Sequence, residues 1–271
     1  DNNAQTGTIA IGHSALTALT SGQANLAIGY QALDACTTGD GNTAVGYTTF
    51  TNVQVADDGF NTGIGYAVGV ELTTGLNNTY LGANAGYYNE TGSNNTYVGR
   101  SAGIGVDGNN NSNNTAVGRH ALLSITTGSA NVAIGATAGD ALTTGGDNIA
   151  IGADALSTST DVDLAVVIGK DACASGNVTA AADGTIAIGY SALAKLTSGA
   201  GNTAVGYQAL TAITTGGGNV AVGHQAMDAA DGTEEYNIAI GHSAMGAFDE
   251  NGQAGNQNIA IGRDALKGGA C

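Results

Sequence analysis

The chain repeats one short phrase along its whole length, and this period limits the folds it can adopt. "GNTAVGYQAL" at residues 201–210 has close copies in "NLAIGYQAL" at 25–33 and "NVAVGHQAM" at 219–227. Each copy can be anchored on the glycine that follows an aliphatic residue. The anchors are Gly12, Gly29, Gly46, Gly65, Gly82, Gly99, Gly118, Gly135, Gly152, Gly169, Gly189, Gly206, Gly223, Gly241 and Gly262. Most steps between anchors equal the step from Gly12 to Gly29, five are longer, and none is shorter. Such a period is typical of stacked repeats in which each unit packs on its neighbours.

Composition supports a thin interior that is repeated many times. The chain has 45 glycines, no proline, no tryptophan and 5% aromatic residues, so it lacks the bulky side chains of a globular core. Its 42% hydrophobic residues stand in register, which argues against disorder. A formal charge of −16 argues against nucleic acid as a partner.

Two further expectations concern the membrane and the place of this segment in a longer protein. No run of about 18 apolar residues exists, so we expect no membrane insertion by this segment. The sequence opens on Asp1 without a signal-peptide pattern. The sequence therefore reads as a processed product or as a segment of something longer. Because the repeat covers the whole chain, we expect residues 1–271 to be a single repeat domain and a segment of a longer fibre.

Three columns before the anchor glycine predict a strand. The residue before the glycine is always Ile, Val or Leu, and two residues earlier stands Ile, Val, Thr or Leu. Side chains alternate along a strand, so these two columns share one face. We interpret that face as the core.

The column between them would then face outward, although it holds Ala in eleven copies and Gly63 in a twelfth. Soluble monomers rarely expose so long an apolar stripe, so the column predicts self-association along the chain. The exceptions Tyr80, Tyr97 and Val167 need local room. The candidates for contacts between chains are Ala27, Ala44, Ala116, Ala133, Ala150, Ala187, Ala204 and Ala221.

The rest of the unit predicts turns. Asn stands four residues before the glycine in twelve copies, where stacked amides can form a hydrogen-bonded ladder. After the glycine comes a second stretch that we expect to be extended, and then "LTTG" or a variant, whose glycine suits a tight turn. Each unit is thus one coil of an all-β parallel solenoid of about fifteen coils, about 70 Å long at strand spacing.

The motif N-[TVIL]-A-[IV]-G-x-x-A resembles the head repeats of YadA-like trimeric autotransporter adhesins and the repeats of bacteriophage tail fibres. The resemblance covers essentially the whole chain, and the 17-residue length favours the fibre comparison. It implies a left-handed β-roll that forms homotrimers, lies outside the cell on a virion or cell-surface fibre, and mediates attachment to a host or surface. The sequence lacks the membrane anchor of the adhesins and the C-terminal chaperone domain common in fibres.

No catalytic constellation is present, so we expect no enzymatic activity. The residue after the anchor glycine varies among His, Tyr, Arg, Lys and Ala, as at an exposed corner. Its tyrosines form a candidate aromatic stripe for a glycan receptor. The five longer coils carry acidic insertions, which in a solenoid become loops on one face. The receptor-contact candidates are Tyr30, Tyr47, Asp57, Asp58, Tyr66, Tyr190, Tyr207, Glu234, Glu235, Asp249 and Glu250.

Other ligand readings are weaker. Residues 107–114, "DGNNNSNN", begin like a calcium loop but lack the central Gly and closing Glu, so we expect no cofactor and keep calcium only as a candidate there. Cys36 and Cys173 take core positions too far apart for a disulfide, whereas Cys271 is free or pairs between chains.

Two alternatives to an attachment fibre stay open. One is a purely structural, self-assembling filament without its own ligand. The other is an ice-binding solenoid, because Thr stands eight residues after the anchor glycine in eight copies. All five insertions fall on the stretch that contains this turn, which argues against a flat ice-binding face.

Overall fold

A computed structural model describes residues 6–55, 58–229, 232–246 and 255–268. The chain divides into two compact units, Asp1–Asn131 and Val132–Cys271. Each unit is a stack of coils with one strand per coil. The regular coils place equivalent residues 17 apart in the chain, as with Asn78 and Asn95 or Asn202 and Asn219. The prediction of an all-β parallel solenoid is therefore confirmed within each unit.

Each strand has three residues and ends just before the anchor glycine. The first unit contains β1 (Ile9–Ile11), β2 (Leu26–Ile28), β3 (Thr43–Val45), β4 (Thr62–Ile64), β5 (Thr79–Leu81), β6 (Thr96–Val98) and β7 (Thr115–Val117). The second contains β8 (Val132–Ile134), β9 (Ile149–Ile151), β10 (Val166–Ile168), β11 (Ile186–Ile188), β12 (Thr203–Val205), β13 (Val220–Val222), β14 (Ile238–Ile240) and β15 (Ile259–Ile261). Within each unit, neighbouring coils pair in parallel and in register, as Ala204 does with Ala221. The only helical turn among the described residues is a 3₁₀ turn at Ala180–Ala182.

The stretch after the glycine is not extended, as the sequence had suggested, but a series of turns. Left-handed residues alternate there, with φ of 53° at Gln208 and 52° at Leu210. The Gln208 N–H donates to the Tyr190 carbonyl of the preceding coil at 2.9 Å, and the Leu210 N–H donates to the Ala226 carbonyl of the following coil at 3.0 Å. These bonds to both neighbours offset the cost of the left-handed conformation.

The anchor glycine lets the coils approach closely at the corner. Gly206 has a φ of 142°, which L side chains rarely adopt, and a Cβ there would overlap the Gly223 carbonyl of the next coil. A side chain at this column would push the coils apart. Glycine is therefore required by the stacking as well as by the turn.

From β2 to β15, the central residue of each strand is buried in the interior, which reverses our prediction. The alanines proposed as contacts between chains are 0 to 2% exposed within the chain itself. These are Ala27, Ala44, Ala116, Ala133, Ala150, Ala187, Ala204 and Ala221. The Ile, Val and Thr residues on either side of them are half-buried or exposed. The prediction that the Ile and Val columns form the core is wrong, and the eight alanines lie out of reach of a partner chain.

The narrow coil explains the reversal. In the coil that starts at β12, Ala204 shares the interior with the buried side chains of Ala209, Leu210 and Ile213. Leu210 and Ile213 fill most of this space, so the strand contributes only the methyl group of Ala204. Bulky residues therefore point outward on the strand, where β-branched side chains pack well against their neighbours.

The strands with tyrosine at the central position obey the same constraint. Tyr80 and Tyr97 are fully buried, and their coils carry Gly86 and Gly103 where most other coils carry a larger residue. A Cβ on either glycine would overlap the tyrosine ring of its own coil. The Tyr80 hydroxyl accepts a hydrogen bond from the Asn89 amide at 3.0 Å. The expectation that these tyrosines need local room is confirmed.

The asparagine column forms the expected ladder. Asn78 Oδ1 accepts from the Asn95 N–H at 2.9 Å and from the Asn95 side-chain amide at 3.2 Å. The Asn78 amide donates to the Gly92 carbonyl at 2.9 Å, and the Asn78 N–H donates to Asn61 Oδ1 at 3.0 Å. Each amide thus satisfies buried polar groups of two coils and fixes their register. The second unit repeats the pattern from Asn202 through Asn219 to Asn237.

Exchanging the two interior residues of one coil tests the packing constraint. Tyr80→Ala leaves a cavity and is expected to lower the free energy of unfolding by about 3–5 kcal/mol. Gly86→Leu forces a side chain into the Tyr80 ring and is also destabilising. The double variant recreates the pairing of Ala204 with Leu210, so it is expected to lose less stability than the sum of the single variants. Urea unfolding measures the coupling, and simple additivity would contradict the shared interior.

Removing one amide tests the ladder. Asn78→Ala leaves the buried Asn95 N–H and the Gly92 carbonyl without their partner, and each such group costs about 1–3 kcal/mol. The exposed Asn110, which lies in the same unit, supplies the control variant Asn110→Ala. Thermal unfolding of the two variants is the measurement. Equal melting temperatures would show that the ladder does not stabilise the coils.

Candidate functional site

The outward face of the sheet is an uncovered surface of aliphatic residues and threonines, with Ile, Val or Leu at the last position of every strand. We call the outward residues of β1–β7 in the first unit, and of β8–β15 in the second, the sheet face of that unit. Exposed members include Ile64, Leu81, Ile134, Val222 and Ile240, which are 37 to 44% exposed. Parallel sheets are normally covered on both faces. Among the described residues, the inner face is buried, whereas the residues of the outer face are half-buried or exposed.

The residue after each anchor glycine forms a second exposed feature, the aromatic ladder. In the first unit, the rings of His13, Tyr30, Tyr47 and Tyr66 stack in order, with centroids 5.1 to 5.4 Å apart. In the second unit, Tyr190, Tyr207, His224 and His242 stack with centroids 4.9 to 5.3 Å apart. The five tyrosines are 40 to 58% exposed, so the predicted exposed corner is confirmed.

The stacking limits what the aromatic ladder can bind. Neighbouring rings lie 4 to 16° from parallel, so the faces inside each ladder are turned to other rings. A sugar that stacks on a ring needs a free face. The inner tyrosines therefore offer edges and hydroxyls, and the predicted glycan stripe is restricted to the ladder ends.

Positive charge continues the ladder column. Lys170 lies with its Nζ 5.7 Å from the centre of the Tyr190 ring, a cation–π contact at the start of the second ladder. Its Nζ also pairs with Asp171 at 2.7 Å. Both groups are partly exposed, so this ion pair contributes little to stability. The column concentrates cationic side chains on a chain of net charge −16.

The acidic residues predicted to contact a receptor differ in their exposure. Asp58 and Glu235 are exposed on their loops, as expected for receptor contacts. Glu234 is only 2% exposed, because its carboxylate turns inward and accepts the Gly232 N–H at 3.1 Å. It occupies the turn position that is Gly216 in the preceding coil, so its assignment as a receptor contact is wrong. Asp57, Asp249 and Glu250 lie outside the described residues.

In the candidate calcium segment, residues 107–114, the asparagine side chains form hydrogen bonds within the fold. Asn109 Oδ1 accepts from the Asn111 N–H at 3.0 Å, and Asn111 Oδ1 accepts from the Asn114 amide at 3.1 Å and from the Tyr97 hydroxyl. These oxygens are the ones a calcium loop would direct at the ion. Among the described residues, no group of three or more His, Cys, Asp or Glu side chains could hold a metal ion.

The threonines that stand eight residues after the anchor glycine form hydrogen bonds between coils. Thr20, Thr73 and Thr197 donate their hydroxyls to carbonyls of the following coil at 2.9 Å. Thr143 and Thr214 do the same at 2.8 and 3.0 Å. These hydroxyls act as turn donors, which weakens the ice-binding reading based on this column.

The two described cysteines are buried and form no disulfide. Burial raises the pKa of the Cys173 thiol to about 12, and burial also raises that of Cys36. Both thiols stay protonated at neutral pH and pack as small apolar groups, as the sequence indicated. Cys271 lies outside the described residues.

The sequence reading missed the sheet face because it placed the wrong column inside. The signal was present in the coils of Tyr80 and Tyr97, each of which has a glycine where most other coils have a larger residue. Such compensation is expected of residues that share one enclosed space.

The comparisons with known proteins found no match for this chain. No protein-family description matches it, and no curated protein is significantly similar to it. In the part of the chain that the structure describes, no helix has the length and apolarity needed to cross a membrane.

Proposed function

We propose that the chain is a self-associating segment of an extracellular fibre that attaches its bearer to a host or surface. The observation that carries the proposal is the uncovered sheet face of each unit. The last residues of the strands continue an apolar stripe from coil to coil, which soluble monomers rarely expose, and a second copy presents the same repeat at the same spacing. Three copies around an axis are what the resemblance to tail fibres and trimeric adhesins implies.

The partner contacts are assigned to the Ile and Val columns and no longer to the alanines. Val222 and Ile240 lie side by side on β13 and β14 and point away from the interior. Association through them buries aliphatic surface without disturbing the coil. The aromatic ladder and the exposed loops then lie beside the interface and stay accessible. These two features contact the host receptor, such as a glycan.

Lysine substitution on the sheet face tests self-association. Light scattering is expected to give the unmodified chain three times its mass of 26.3 kDa. Val222→Lys combined with Ile240→Lys is expected to give a folded monomer. Association would bury the two lysine charges in the interface, whereas in the monomer they stay hydrated on the surface of the coil. The control Thr215→Lys, at an exposed turn, keeps the trimer mass.

A folded monomer for the unmodified chain would contradict the proposed association. Ala221→Lys provides the opposite control. It places a charge inside the coil between Val220 and Val222, so it is expected to unfold the second unit rather than to dissociate the assembly. Circular dichroism separates these two outcomes.

A purely structural filament is the second candidate function. It is favoured because two groups of predicted receptor contacts are used within the chain: Glu234 is buried, and the ring faces of the aromatic ladder stack on one another. Neutralising exposed loop acids distinguishes the two candidates. Asp58→Asn with Glu235→Gln, in the particle or cell that carries the chain, is expected to weaken attachment several-fold if these loops contact the receptor. The control Asp147→Asn changes an exposed acid in a coil without an insertion. Unchanged attachment with intact fibres would favour the structural role.

A further inference from the structure

The aromatic ladder holds tyrosines in a geometry suited to a covalent reaction. Tyr47 stacks on Tyr30 at 5.1 Å with ring planes 12° apart, and on Tyr66 at 5.2 Å with planes 6° apart. Tyr190 and Tyr207 stack at 5.3 Å and 16°. These pairs lie on neighbouring coils held in register by strand pairing. Their proximity is therefore a fixed property of the fold.

We propose that the exposed tyrosine stacks are oxidation sites at which neighbouring coils become joined by dityrosine bonds. The pairs are Tyr30 with Tyr47 or Tyr47 with Tyr66 in the first unit, and Tyr190 with Tyr207 in the second. The co-reactant is hydrogen peroxide acting through a haem peroxidase. The inference rests on the stacking and the exposure of these rings and holds whether or not the chain is part of a fibre.

The reaction balances in atoms and electrons. Each of two phenols loses one electron and one proton to the peroxidase, and one molecule of hydrogen peroxide is reduced to two molecules of water. The two phenoxyl radicals then form a carbon–carbon bond between ring positions ortho to the oxygens. The hydrogen on each of these carbons moves to the oxygen, which restores both phenols. The product contains two hydrogen atoms fewer than the pair of tyrosines.

Exposure and freedom to turn select these pairs. Coupling requires the rings to leave their parallel stack and meet at their edges, which side chains 40 to 58% exposed can do. The oxidant also needs access to the phenols. Both conditions hold at the corner column, because about half of each of these tyrosine side chains is exposed to solvent.

The protein contains its own control for proximity. Tyr80 and Tyr97 stack at 5.0 Å with planes 8° apart, at least as close as the exposed pairs. Both are fully buried, and their hydroxyls are bonded to Asn89, Asn95 and Asn111. Burial raises the pKa of both phenols, so neither becomes the more easily oxidised phenolate. This pair is expected to stay unlinked while the chain is folded.

A bond between adjacent coils would act as a covalent clamp on the stack. The described residues contain no disulfide, and both of their cysteines are buried. A link that closes a loop of one coil, as between Tyr30 and Tyr47, restricts the unfolded chain in the way a disulfide does. Oxidation would then slow the separation of coils under force or heat.

The test oxidises the whole folded chain with a haem peroxidase and hydrogen peroxide. Dityrosine fluorescence reports the yield, and peptide mass mapping identifies the linked residues from the loss of two hydrogen atoms. A small one-electron photo-oxidant, used in parallel, shows whether the size of the enzyme limits access. Links within one chain at the exposed pairs, with Tyr80 and Tyr97 unlinked, are the expected result.

Conservative variants assign the yield to the two stacks. Tyr47→Phe keeps an aromatic ring but removes the phenol between Tyr30 and Tyr66, which are two coils apart and cannot reach each other. About half the yield is therefore expected to remain if the two stacks react independently. Adding Tyr190→Phe is expected to remove the links at both stacks. Peptide mapping distinguishes these links from any bond between Tyr87 and Tyr88, whose half-buried rings meet edge to face with centroids 4.6 Å apart. Tyr236→Phe is the matched control, since Tyr236 is 62% exposed and no ring among the described residues stacks on it.

Three results would overturn the proposal. The first is an unchanged yield in the double variant, and the second is a link between Tyr80 and Tyr97 in the folded chain. The third is linkage only between different chains, seen as oligomers on a denaturing gel. Oxidation in urea provides the reference, because loss of register is expected to spread the links over all ten tyrosines.

Discussion

The narrow interior of the coil is the constraint on which the other features of this protein depend. A typical coil, such as that of Ala204, encloses room for two larger aliphatic side chains on its turns, Leu210 and Ile213, and a methyl group on the strand. The strand must therefore place alanine inside and its β-branched residues outside. Where tyrosine replaces that alanine, as at Tyr80, a glycine in the same coil gives up the space. The uncovered sheet face is thus a consequence of filling a small core.

Stacking in register converts each residue of the coil into a column. The asparagine amides become a ladder because identical groups meet at hydrogen-bonding distance, from Asn61 through Asn78 to Asn95. The corner glycines allow this approach because a Cβ would overlap the next coil. The same register stacks Tyr30, Tyr47 and Tyr66. One repeat therefore produces a stabilising ladder inside and a candidate reactive ladder outside.

The sequence predicts the period of this fold well and the orientation of its strand poorly. Spacing alone locates the strand ends, the glycine corner, the asparagine ladder and the exposed corner column. Alternation shows that Ala204 and Val205 face opposite ways, but it does not say which one faces inward. That choice depends on the cross-section of the coil, which is set by turns at residues such as Gln208 and Leu210 that we expected to be extended. Burial of Glu234 was equally hidden, because it depends on a local bond to Gly232.

The exposure of methyl groups tests the central claim most directly. A soluble paramagnetic reagent broadens the NMR signals of methyl groups that it can approach. The account predicts that the methyl groups of Ala204 and Ala221 stay sharp in every state of association. It also predicts that those of Val205 and Val222 are strongly broadened once the chain is monomeric. Broad alanine signals beside sharp valine signals would place the Ile and Val columns inside and contradict the account.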